Sequence, residues 1–114
     1  MEKVIDINGQ KVNFKTHGAI PILYAQQYGK DFFTTIMRME EMINANGSVD
    51  GDLMPIYELA HLFARTADKE NVPVDMVEWL ATFEDGFPVV EVFVELQDLI
   101  LSNMQSLKKK SKKR

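Results

Sequence analysis

The chain contains no cysteine, which excludes disulfides, thiol nucleophiles and cysteine-based zinc sites. It contains two histidines, His17 and His61. His17 follows a strand-like run and His61 lies inside a helical pattern, with no second histidine or carboxylate at zinc-ligand spacing. Each reads as a surface or packing residue rather than a catalyst. No serine stands in a nucleophile elbow, and no glycine-rich loop joins a strand to a helix in the phosphate-binding manner. The acidic pair Glu84-Asp85 reads as a solvated turn, with nothing nearby to shift its titration. The expectation is a protein that is not an enzyme and has no cofactor or bound metal. No window approaches the roughly 20 apolar residues of a membrane span. The opening MEKVIDINGQ lacks the apolar stretch of a secretory signal. The protein is therefore expected to be soluble and to stay where it is made.

What is present describes one domain. A length of 114 residues with 46% hydrophobic and 10% aromatic composition can bury a single core without staples. Seven methionines suit either gap-filling in that core or a surface that accepts varied partners. The net charge of −4 hides an asymmetry. The chain ends LKKKSKKR, with Lys108, Lys109, Lys110, Lys112, Lys113 and Arg114 as its basic tail. Taking those six from the 13 Lys and Arg leaves seven against 17 acids, a balance of −10 over residues 1–107. An acidic body repels phosphate backbones, so a nucleic-acid-binding domain is not expected. The division drawn from this contrast is a folded domain over 1–107 and a disordered, solvated tail over 108–114.

Along the chain, Asn8-Gly9 sits between two β-prone runs and predicts a two-residue hairpin, with Val12 and Phe14 on the buried face. A short helix is expected over 19–28, with Thr16 as its cap, Pro21 in its first turn and Gly29 as its stop. Asp31 caps a second helix in which Phe32, Ile36, Met39 and Ile43 form one row and Phe33 and Met37 another. NANGSVDGD reads as a loop without the ligand spacing of a calcium site. Asp52 is expected to cap a third helix carrying Ile56, Leu59, Phe63 and Ala67, with Ala60 and Ala64 allowing close packing. Met76, Leu80 and Phe83 align in a shorter helix ended by Gly86 and Pro88. From Val89 the valines favour a strand, but the polar steps at Glu91, Glu95, Asp98 and Ser102 and the length favour a helix over 88–107. The fold expected is mainly α, with an N-terminal β-hairpin packed on about five helices in a single small domain.

Three stretches in this order, INGQKVNFK, LYAQQYGKDF and VDMVEWLATFEDG, carry a resemblance over nearly the whole length. The chain resembles the tail assembly chaperones of long-tailed bacteriophages (siphoviruses) and related prophages. The resemblance implies a chaperone that binds the tape measure protein in the host bacterial cytoplasm, helps recruit tail tube subunits and leaves before the virion matures. It also implies a longer form made by programmed ribosomal frameshifting. Lysine codons are A-rich, so the KKK run is what a slippery site would encode. Tyr24, Tyr28, Gly29 and Asp31 match the family's junction, with structural roles expected first. The exposed members of Phe33, Met37, Met42 and Met104 are the candidates for partner contact, and weak homo-oligomerisation is expected where several copies coat one client. Trp79 and Phe83 are expected to plug the core beneath the last helix. The alternative is a small nucleic-acid-binding regulator that uses the basic tail.

Overall fold

The chain begins by doubling back on itself. Strands β1 (Glu2–Ile7) and β2 (Gln10–Lys15) pair antiparallel, with Ile7 opposite Gln10 across a two-residue loop. Asn8 and Gly9 both take positive φ, 54° and 90°, as a type I′ turn requires. The Asp6 carboxylate accepts from the Gly9 N–H at 2.7 Å. Ile5, Ile7, Val12 and Phe14 face the core, and the residues between them face water, which is the period of a half-buried ribbon. The computed structural model describes residues 1–42 and 51–112, with the backbone alone over 105–112.

Among the described residues five helices follow the hairpin: α1 (Ile20–Tyr28), α2 (Phe32–Met42), α3 (Met54–Ala67), α4 (Met76–Leu80) and α5 (Val89–Lys112), with α3 packed on β2 and α5 on β1. Helix α1 starts on Ala19 without a side-chain cap. Thr16, expected as that cap, is instead buried, and its hydroxyl donates to Asn103 Oδ1 on α5 at 2.6 Å. A buried hydroxyl must find a partner, and the nearer need was to tie the end of β2 to α5. Gly29 closes α1 in the left-handed region at φ 68°. Asp31 then opens α2, its carboxylate accepting from the Thr34 N–H at 2.8 Å and hydroxyl at 2.7 Å. Phe32, Ile36 and Met39 are buried as expected; Ile43 and most of the NANGSVDGD loop lie outside the described residues.

Helix α3 is the centre of the packing. Glu58 through Ala64 are all buried, more than a surface helix allows. Ala60 and Ala64 let neighbouring elements approach closely. Its N-cap is Leu53 rather than Asp52, although Asp52 accepts from the Met54 N–H at 3.0 Å. Helix α4 is shorter than its apolar spacing suggests. Asp75 caps it, and it ends at Leu80. There the Thr82 hydroxyl takes the Trp79 carbonyl at 2.7 Å and the chain passes into turns up to Gly86. Helix α5 is helical from Val89, which resolves the valine ambiguity in favour of length. Its backbone runs on to Lys112, five residues past the expected end at 107. Residues 108–112, expected as part of the tail, continue the helical backbone of α5. Lys113 and Arg114 lie outside the described residues. Lys3 of β1 fastens to α5, with its ammonium on the Glu95 carbonyl at 2.7 Å and on Asp98 at 3.1 Å.

Candidate functional site

The residues of the α1–α2 junction converge on a partner from α3. The Tyr24 hydroxyl donates to Glu58 Oε1 at 2.7 Å, and Lys30 Nζ donates to both carboxylate oxygens at 3.2 Å. The Glu58 side chain is 8% exposed and that of Lys30 42%, so the carboxylate is inside and the ammonium reaches it from the rim. Rings close round the phenol: Tyr28 lies 5.2 Å from Tyr24 and Phe32 lies 6.1 Å away, edge-on. Burial, followed by the hydrogen bond to Glu58, holds the Tyr24 hydroxyl well above its ordinary titration range. Burial and the Glu58 charge push Tyr28 up to about 12. The structure thus brings Tyr24 and Tyr28 together, with Gly29 making the turn and Asp31 starting the next helix. Their role is to lock the corner onto α3. Glu58 is the member that sequence reasoning missed. Its signal was a carboxylate inside the run IYELAHLFA, where the flanking residues are apolar.

The four candidates for partner contact divide. Met37 is exposed at 57%, whereas Phe33, Met42 and Met104 are half-buried and pack against the core. The expected second apolar row of α2 is therefore split, with Phe33 turned inward against Phe32 at 5.3 Å. Other large apolar side chains stand in water: Ile22 on α1, Met54 on α3, Val77 on α4, and Val94 and Leu101 on α5. Val94 and Leu101 are seven residues apart and so share one side of their helix. The core-facing residues Val92, Leu96 and Leu99 occupy another side.

Trp79 and Phe83 are both buried, in the same core cluster as Val92, Phe93 and Leu96 of α5. The Trp79 ring meets Phe14 of β2 at 6.5 Å, His61 of α3 at 5.5 Å, and Phe83 and Phe87 at 5.2 and 5.6 Å. The aromatic cluster therefore joins the hairpin to α3 and to the segment leading into α5. Early termination of α4 produces this, since it lets Phe83 and Phe87 fold back over the indole. His61 belongs to the same cluster. Its Nε2 lies 2.8 Å from the Pro73 carbonyl, which can only accept, so Nε2 carries the proton. Burial lowers its pKa below the ordinary value, and the ring is neutral near pH 7.

Chemically, the site is an apolar and aromatic framework with one buried ionic clamp. Among the described residues no group of three or more His, Asp or Glu is placed to hold a metal ion. Compared with known protein families, with curated proteins and with solved structures, the chain matches none.

Proposed function

We propose that this chain is a tail assembly chaperone of a long-tailed bacteriophage or prophage, a non-enzymatic protein that shields the tape measure protein and helps recruit tail tube subunits. The observation that supports this most directly is the outward pair Val94 and Leu101 on α5. Helix α5 has 24 residues and is therefore roughly 36 Å long at 1.5 Å per residue. Val94 and Leu101, about 10 Å apart along this rod, offer two apolar anchors for an amphipathic helix laid beside it. Met37 and Ile22 add exposed apolar area on α1 and α2. Methionine there adapts to varied client side chains. The acidic body keeps a loaded complex in solution through its net charge. Weak self-association lets several copies coat one client in the host cytoplasm, and the chaperone leaves before the tail is finished.

The test is retention of purified tape measure fragments by the full chain. Binding at micromolar concentration is expected, and Val94→Glu with Leu101→Glu should abolish it while the helical circular dichroism is unchanged. No retention by the parent chain, or undiminished retention by the double variant, would overturn the proposal.

A further inference from the structure

A cleft of about 400 Å³ opens where the end of β2, helix α1 and the second half of α3 meet. Its lining includes Lys15, His17, His61, Arg65 and Lys69, with Leu23 on its apolar wall, and it includes no carboxylate. In a chain with 17 acids and 13 Lys and Arg, a lining with three permanent cations, two imidazoles and no acid is a local reversal of sign. None of the three cations is paired with a carboxylate among the described residues. Like charges gathered round a concave wall repel one another, and an anion between them relieves that repulsion.

Two further features fit an oxyanion. The first is the way the basic groups are held. His17 Nδ1 accepts from the Ala19 N–H at 3.1 Å, which leaves Nε2 as the protonated nitrogen of the neutral ring and a donor to a ligand. Arg65 Nη1 is fixed on the Val72 carbonyl at 2.7 Å, so the guanidinium is oriented before any ligand arrives, with its remaining N–H groups uncommitted to any carboxylate. The second is an unanswered polar atom. His61 is 1% exposed, and its Nδ1 has no hydrogen-bond partner among the described residues. With Nε2 donating to Pro73, Nδ1 is an acceptor without a donor on a residue of the cleft wall, so His61 adds polarity there without adding negative charge. Leaving such an atom buried without a partner is costly.

We infer that this cleft binds a small, multiply charged oxyanion, a phosphate or polycarboxylate group, between Lys15, Arg65 and Lys69. Three cations exceed what a single carboxylate needs, and a volume of this size holds a small ligand rather than a chain segment. The site is separate from the outward faces of α2 and α5, and it does not depend on what those faces bind.

The experiment is titration of the full chain with inorganic pyrophosphate, and separately with citrate, followed by amide nuclear magnetic resonance at physiological salt. Saturable shifts confined to residues 15–19 and 61–72 are expected with at least one of the two. The tighter ligand identifies the phosphate or the carboxylate source. Lys15→Gln with Lys69→Gln removes two solvent-facing charges and should weaken binding roughly tenfold or more. The charge-matched control Lys108→Gln with Lys109→Gln should bind as the parent does. Absence of saturation with both ligands, or equal weakening in the two double variants, would overturn the assignment and leave only diffuse attraction to lysines.

Discussion

Glu58→Leu is the substitution that bears hardest on the junction. The carboxylate holds Tyr24 at 2.7 Å and Lys30 at 3.2 Å. Removing it leaves a buried phenolic hydroxyl without an acceptor, at about 1–3 kcal/mol. The ammonium–carboxylate contact adds less than a buried pair does, because Lys30 is 42% exposed and returns to water; about 1 kcal/mol is reasonable. The sum is a loss of about 2–4 kcal/mol, a large share of the stability of one domain. Urea unfolding followed by the fluorescence of Trp79 reads it directly. With a slope of about 1–1.5 kcal/mol per molar, the midpoint should fall by roughly 2 M. The cause is separable from simple mispacking. Tyr24→Phe and Glu58→Leu should couple in a double-mutant cycle, since each removes the same hydrogen bond. The triple variant Tyr24→Phe, Lys30→Met, Glu58→Leu should recover much of the loss, because an ion cluster replaced whole leaves no group stranded. A midpoint for Glu58→Leu close to the parent's, or strict additivity in the cycle, would refute the reasoning.

Alkaline unfolding should report the same corner. A free tyrosine titrates near 10, whereas Tyr28 is pushed up to about 12, so between those values the unfolded chain gives up a proton that the folded chain keeps. Stability then falls as pH rises, and Tyr28→Phe should flatten that fall in urea midpoints measured from pH 9 to 12; an unchanged slope counts against it. Trp79→Ala removes the shared partner of Phe14, His61, Phe83 and Phe87 and should cost about 3–5 kcal/mol, read by loss of cooperative thermal unfolding in circular dichroism. Gly9→Ala places a Cβ at φ 90° and should cost about 1 kcal/mol, seen as a lower melting temperature, even though no atom lies in its way.

Much of the fold could be read from neighbouring residues. Asn8-Gly9 announced the hairpin because few residue pairs accept two positive φ values in succession. Gly29 and Asp31 marked the α1–α2 corner for equally local reasons, one conformational and one a cap. The alternation of Val12 and Phe14 and the row of Phe32, Ile36 and Met39 predicted which faces turn inward. Length decided α5 correctly over the strand preference of its valines, because β propensity is a weak term beside sustained periodicity. The partner candidates fared unevenly. Met37 is in water, but Phe33, Met42 and Met104 each found core to lean on, and a helical wheel does not say how wide a contact its neighbours provide.

What local signals could not supply is the set of pairings between distant positions. Thr16 looked like a cap until α5 brought Asn103, 87 positions away, to its hydroxyl. Glu58 looked like an interruption in an apolar run until the corner 28 to 34 positions earlier delivered Lys30 and Tyr24 to it. The basic cleft gathers Lys15, Arg65 and Lys69 from two separate stretches. Turns, caps and periodicity are settled by dihedral energies and by which face seeks water, and these act within a few residues. Which buried polar group meets which depends on how the elements dock, and docking is a property of the whole packed core.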